Sequence, residues 1–431
     1  MARKGFFKSS EIAAKKLSNA PKVAQCGKCK LYKTCKSPYM KPTGKNKIRI
    51  LHIAEAPGAI EDRRNEQLVG TVGQFYRRIW KRIGVNIDDC VKTNANLCRP
   101  PNNEKPNKTR VLCCKPNLMQ CIKEYNPHVI IPLGENALTS LIGHKFDKSL
   151  GGITKWRGFI IPDKEFNAWI CPTFHPSYVT RETAPEYAEK LFIQDLKHAY
   201  KMLDVPLPKS VDHQGQIEFI KHHKDITHWL QLLVMGDVQL TAFDFEASGL
   251  KPHKDGHYIR TCAISCSPDH CVAFPVPKSK DFRMWLTRYL ATNSIKKIVA
   301  NLKFERDWSK WMFDIKINGI FFDTMIAAHF LDNRPKITSL DFNNYVNFGI
   351  EPYDRAVSKL LKTPNDADAN QFNRIGEIDL ESLMLYNGMD SKTEFMNALV
   401  MMDRIGIDYS HLYKGPTGAD LAPQYAAIGA L

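Results

Sequence analysis

The chain has 431 residues, 43% hydrophobic and 25% charged, with 24 Gly and 25 Pro. It is too long for one compact core, so two or three domains are expected, and the composition excludes disordered, collagen-like and low-complexity classes. The net charge of +16 is uneven: residues 1–200 carry 35 Lys and Arg against 17 Asp and Glu, whereas residues 201–431 carry 26 against 28. A basic module beside a near-neutral one points the first module toward a polyanion. No run of about 18 apolar residues is present, and the start MARKGFFKSS lacks the apolar core of a signal peptide, so a cytoplasmic protein with no membrane partner is expected.

Residues 1–23 read as a basic N-terminal segment, for which a solvated tail is the bland alternative. Residues 48–54 (IRILHIA) read as a strand, followed by the turn Ala56-Pro57-Gly58. A helix is predicted over about 72–83, a strand near 91–97, a Pro/Asn-rich loop over 100–107 and a helix over 109–125. A buried strand follows at 128–133, a helix after Gly134, a strand near 169–173 and a helix over 186–202. This alternation predicts a parallel sheet covered by helices, in a domain spanning 24–203. Pro206 and Pro208 interrupt either periodicity, so 204–212 reads as a linker. A second α/β pattern spans 213–403. It opens with a helix near 225–234 and strands at 240–245, 258–265 and 271–275. A helix at 281–291 and a strand at 297–300 come next, then mostly helical sequence. Residues 404–431 form a tail of little periodicity.

Twelve cysteines without a secretion signal argue against a disulfide framework. Cys262, Cys266 and Cys271 lie in apolar strand-like sequence and read as ordinary buried residues. Cys26-Gly-Lys-Cys29 places two thiolates at ligand spacing, while Cys98 and Cys114 stand singly. Four thiolates hold either zinc or a cubane iron–sulfur cluster, and one doublet with two distant singles is less typical of zinc. Unrelated buried cysteines are the third reading.

At these residues the sequence resembles the family 4 uracil-DNA glycosylases, over roughly residues 24–200. The match includes the early CxxC, AEAPG at 54–58, Glu61-Asp62, VGTVGQ at 69–74, TNANLCRPP at 93–101, CKPNL at 114–118, IIPLG at 130–134 and FHPSY at 174–178. The resemblance implies a parallel-sheet α/β/α sandwich carrying a 4Fe–4S cluster on Cys26, Cys29, Cys98 and Cys114, with Cys113 competing for the last place. It also implies a base pocket formed by Glu55, Glu61, Leu68, Asn94 and His175. An amide such as Asn94 both donates to and accepts from uracil. His175 would hydrogen-bond the uracil oxygen as charge develops on the leaving base, and Glu61 would orient water. Three positions depart from the family pattern: Ala54 replaces Gly, Leu68 replaces the aromatic residue that stacks on uracil, and Leu97 replaces Lys. Base–aromatic stacking is worth about 1–3 kcal/mol, so its loss alone lowers excision roughly 10–100-fold. DNA binding with weak or absent uracil excision is expected.

Phe243-Asp244-Phe245-Glu246 lies in a predicted strand, so both carboxylates face one side and both phenylalanines the other. In such apolar sequence, unpaired carboxylates are unfavourable and a metal would resolve the cost. Asn301-Leu-Lys-Phe-Glu305 follows a later strand, and Tyr386 and Asp390 are four apart on one helix face. DxE, NxKFE and YxxxD in this order resemble the 3′–5′ exonuclease domain of DNA polymerase I-type enzymes, in the tyrosine-bearing DEDD subclass, over about residues 238–402. The resemblance implies a ribonuclease H-like fold in which Asp244, Glu246 and Asp390 hold two Mg²⁺ or Mn²⁺ ions about 4 Å apart and Tyr386 orients the attacking water. Glu305 replaces the usual Asp, keeping the charge on a longer arm. Asp307 is a nearby substitute that a helix would point elsewhere, and Asp323 is assigned a structural role.

A glycosylase-like domain ahead of such an exonuclease resembles the N-terminal part of bacteriophage family A DNA polymerases. The implied partners are DNA, single-stranded or at a primer 3′ end, and a polymerase domain or subunit in the cytoplasm of a bacterial host. Three readings stay open: an exonuclease with a DNA-binding Fe–S domain, a bifunctional uracil-excising repair enzyme, and a non-catalytic polymerase adaptor. The intact Asp244, Glu246, Tyr386 and Asp390 argue against the last.

Overall fold

The computed structural model describes residues 23–147, 149–353, 357–363, 368 and 370–430. The basic N-terminal segment therefore lies, apart from Val23, outside the described residues. These divide into two compact units, one holding residues up to 208 together with 346–351, the other 209–345 and 352–430. Among the described residues no helix is long and apolar enough to cross a membrane.

The first unit is built on a five-stranded sheet of β1 (Ile50–Ala54), β2 (Val91–Asn94), β3 (Val129–Pro132), β4 (Ile161–Asp163) and β5 (Ala168–Ile170), in the order β2-β1-β3-β5-β4. All neighbours pair in parallel except β4 on β5. β4 departs from the expected all-parallel pattern as an antiparallel edge, which a short hairpin to β5 allows. Strands β1 to β3 are buried at every position, the continuous apolar burial expected of a sheet covered on both faces. The exception in β1 is His52, fully buried, whose Nδ1 lies 2.9 Å from the Tyr76 hydroxyl. Burial drives its pKa down to about 3, so the ring is neutral. Helices Thr71–Ile83, Lys108–Tyr125, Glu135–Ile142 and Tyr187–Lys201 match the predicted helices to within about two residues at each end.

The second unit carries a six-stranded sheet of β6 (Ile217–Phe219), β7 (Leu240–Ala247), β8 (Ile259–Ser267), β9 (His270–Pro275), β10 (Lys296–Val299) and β11 (Ile320–Asp323), ordered β11-β10-β7-β8-β9-β6. β7-β8-β9 form an antiparallel meander, and β10 and β11 extend it in parallel. β7 alternates as its sequence requires. Phe243 and Phe245 join a core with Ile226, Leu230, Leu286, Tyr289 and Trp308 from helices His223–Met235, Lys280–Ala291 and Leu302–Phe313. Leu240 and Ala242 face the other way, onto Phe395, Leu399 and Met402 of the long helix Leu380–Ile405. Each fully buried aromatic side chain contributes about 1.5–3 kcal/mol, so the register of β7 is strongly fixed.

The segment after Ile405 contains two short helices, Gly418–Leu421 and Pro423–Ile428, which low periodicity did not announce. They are docked: Gly418 N–H donates to the Tyr409 hydroxyl (3.1 Å), Ala419 N–H donates to the Asp403 carboxylate (2.9 Å), and the Arg404 guanidinium lies 4.3 Å from the Tyr425 ring centroid. A Cβ at Gly418 would stand 2.5 Å from the Leu399 carbonyl oxygen and 2.6 Å from Val400 Cα. Neither backbone atom can yield, so Gly418→Val should destabilise this docking by about 1–3 kcal/mol. Limited proteolysis should then cut between residues 406 and 430 faster than in wild type.

Candidate functional site

β7 ends at the point where the Leu380–Ile405 helix crosses the sheet, and this crossing brings three carboxylates together. Asp244 and Glu246 project from β7 and Asp390 from the helix. One oxygen of each lies within 4.8 Å of the others, the only such group of metal-capable side chains among the described residues. All three are half-buried and so within reach of solvent. Burial pushes Asp244 up to about 7, countered by an Asn387 amide hydrogen bond. Burial, then the neighbouring charges of Asp244, Asp390 and Glu305, raises Glu246, and burial with Asp244 raises Asp390. Like charges this close cannot all ionise without a cation, and carboxylate oxygens at this spacing suit Mg²⁺ or Mn²⁺. Tyr386 lies one turn before Asp390 on the same helix, and its phenol counters the rise of that carboxyl's pKa.

Glu305 does not join this trio. It comes from the Leu302–Phe313 helix that covers the phenylalanine face, and its side chain is fully buried, where burial and then the charges of Asp244 and Glu394 push its carboxyl well up. Its Oε2 has no hydrogen-bond partner. Asp307 is turned outward onto Lys251 (2.6 Å), and Asp323 caps the Thr324–Leu331 helix through the Met325 and Ile326 N–H groups while accepting from Leu302 N–H. Three neighbours escaped sequence reasoning. Asn387 and the buried Glu394 share the helix face of Asp390 at three and four residues' distance, a spacing that could have revealed them. Tyr353, which donates to Asp390 Oδ1 at 2.5 Å, comes from a loop with no periodic signal.

In the first unit the predicted pocket residues gather at the carboxyl ends of the parallel strands, where α/β sheets bind ligands. Asn94 ends β2 in register with Ala54 of β1, and Glu55 follows. His175 follows Thr173, which bridges to Leu133 just beyond β3. Asn94 is buried and its Nδ2 has no partner. The His175 ring is neutral, its pKa lowered to about 4 by burial and then by Arg181. Ser177 N–H donates to its Nδ1 at 3.2 Å, which leaves the ring proton on Nε2. Asn94 Nδ2 and His175 Nε2 therefore each carry an N–H near the carboxyl ends of the strands. Glu55 is raised by burial.

Glu61, expected to orient water, has one carboxylate oxygen engaged by backbone. Its Oε1 accepts from Val69 N–H (3.1 Å) and Gly70 N–H (2.6 Å), fastening the N-terminus of the Thr71–Ile83 helix. Gly58 and Gly70 make room for it, since a Cβ at either would lie 2.7 or 2.9 Å from its carboxylate. Leu68 is buried at φ +55°, with Arg77 Nε donating to its carbonyl at 2.7 Å.

Cys26, Cys29, Cys98, Cys113 and Cys114 line one cavity together with Tyr32, Tyr39 and Leu97. The doublet forms the short helix Cys26–Cys29, anchored by Gln25 N–H on the Cys113 carbonyl (3.0 Å). Cys98 Sγ accepts from Tyr39 N–H at 3.4 Å, and Cys114 Sγ from Leu97 N–H at 3.4 Å and Asn117 Nδ2 at 3.5 Å. Cys35 is not among the lining residues.

Residues 41–197 match the uracil DNA glycosylase superfamily and residues 217–352 a 3′–5′ exonuclease family. The type-4 uracil-DNA glycosylase of Saccharolobus solfataricus is 35% identical over 167 residues, which cover 37% of this chain and 74% of that protein. A DNA polymerase of Bacillus phage SP01 is 23% identical over 325 residues, 68% of this chain and 34% of the polymerase. Among solved structures, Brucella melitensis NrnC is similar over 50% of this chain and 91% of that one, at 16% identity and a TM-score of 0.33. The chain belongs to the uracil DNA glycosylase superfamily through its first unit and joins to it, in one polypeptide, a 3′–5′ exonuclease domain.

Proposed function

We propose that this protein removes nucleotides from DNA 3′ ends in the proofreading manner, and that its glycosylase-type domain serves chiefly to bind DNA beside a family A polymerase. The convergence of Asp244, Glu246 and Asp390 carries the reading. Two divalent ions, when bound, supply an activated water and stabilise the leaving 3′ oxygen. The chain's own part is to hold them through those three carboxylates. The Tyr386 phenol would orient the water. The polymerase association rests on the phage polymerase relative, of which this chain spans about a third.

The five cysteines fit a cluster better than a single ion. Tetrahedral zinc, with Zn–S bonds of about 2.3 Å, would bring its sulfurs to about 3.8 Å from one another. No three described cysteine sulfurs lie within 4.8 Å of one another, although they share one cavity. Cys26, Cys29, Cys98 and Cys114 would hold a 4Fe–4S cluster in that cavity, and the N–H donors on Cys98 and Cys114 suit thiolate ligands. Cys114 is preferred to Cys113 because its sulfur carries two such donors.

A second reading, active uracil excision, is favoured by the free Asn94 amide and the Nε2 proton of His175. Leu68 weighs against it, since no aromatic platform is present at that position.

Asp244→Ala should nearly abolish Mg²⁺- or Mn²⁺-dependent shortening of 5′-labelled single-stranded DNA; undiminished activity would sink the assignment. Cys98→Ser should lose iron and the broad absorbance near 400 nm that Cys-ligated iron–sulfur clusters show, whereas stoichiometric zinc without iron in anaerobically purified wild type would favour a structural zinc. In an Asp244→Ala background, Leu68→Phe should raise alkali-sensitive cleavage at a single uracil roughly 10–100-fold. Efficient cleavage already with Leu68 would make the domain a working glycosylase. The same preparations should bind DNA with an affinity that falls steeply with salt.

A further inference from the structure

Two side chains outside the sequence motifs hold the aspartates of the trio, and the role assigned to them rests on the exonuclease reading. Asn387 Nδ2 donates to Asp244 Oδ2 at 2.6 Å and to the Asp244 carbonyl at 3.2 Å. Its own Oδ1 is buried without a partner, so the amide is oriented for Asp244 and not for itself. The Tyr353 hydroxyl donates to Asp390 Oδ1 at 2.5 Å.

The direction of the Tyr353 proton is set by a buried network behind it. Asn397 Nδ2 donates to Asn344 Oδ1 at 2.7 Å, which fixes the Asn344 amide. Asn344 Nδ2 then faces the Thr393 hydroxyl oxygen at 3.0 Å and the Tyr353 oxygen at 3.4 Å. The tyrosine oxygen accepts on that side, so its single proton goes to Asp390. Asn344, Asn387, Thr393 and Asn397 are all fully buried, which leaves the network little freedom to rearrange.

Both donors are neutral. A lysine or arginine would hold a carboxylate as firmly but would cancel the charge that attracts a divalent cation. A phenol and an amide orient the oxygens and leave that charge in place.

We propose that Tyr353 and Asn387 are positioning residues that hold Asp390 and Asp244 in metal-ready geometry before any cation arrives. Loss of such outer partners typically costs 10–100-fold in metal affinity. The test titrates Mn²⁺ into the full chain and follows free Mn²⁺ by electron paramagnetic resonance, with Asp244→Ala defining the binding that belongs to this centre. Tyr353→Phe, which removes one oxygen and keeps the ring, and Asn387→Ala should each weaken that binding by about 10–100-fold. Each should raise the Mn²⁺ needed for half-maximal DNA cleavage by the same factor, with cleavage largely regained at saturating Mn²⁺. Mn²⁺ affinities within about twofold of wild type in both variants would overturn the inference and leave the exonuclease reading standing. Equal Mn²⁺ binding by wild type and Asp244→Ala would overturn the exonuclease reading itself, and the inference with it.

Discussion

Mutual repulsion among carboxylates at the end of β7 is the constraint on which the second unit turns. The fold gains the burial of Phe243 and Phe245 only in the register that turns Asp244 and Glu246 to the opposite face, where the Leu380–Ile405 helix adds Asp390. Burial then raises all three acids above their ordinary range, and like charge adds to the rise at Glu246 and Asp390. A charge arrangement so unfavourable alone becomes favourable around divalent cations, and the two neutral donors on Asp244 and Asp390 keep it assembled meanwhile.

The first unit shows the opposite balance. Its strand ends present Asn94 and His175 as donors, and five of its cysteines line one cavity. Leu68 is held in a left-handed backbone conformation. Gly73 permits that close packing, since a Cβ there would lie 2.2 Å from the Leu68 carbonyl carbon.

Much of this was legible in the sequence, for identifiable reasons. Two-residue alternation placed Asp244 and Glu246 on one face, and four-residue spacing aligned Tyr386 with Asp390, because both patterns are local. Motif order carried the cysteine grouping. That Glu305 stands outside the trio depends on which sheet face its helix covers, a tertiary matter. Glu61 was read for its chemistry, while its geometry serves the backbone of residues 69 and 70. The three-residue strands β4 and β6 are too short for a periodic signal, and β11 was hidden in sequence read as helical. Tyr353 left no trace, since only the folded loop brings it to Asp390.

The most direct measurement is anomalous diffraction from crystals of the full chain soaked in Mn²⁺. Two peaks about 4 Å apart, in contact with Asp244, Glu246 and Asp390, are the expected result. No manganese at these carboxylates, with well-ordered side chains in the same crystals, would contradict the two-metal account.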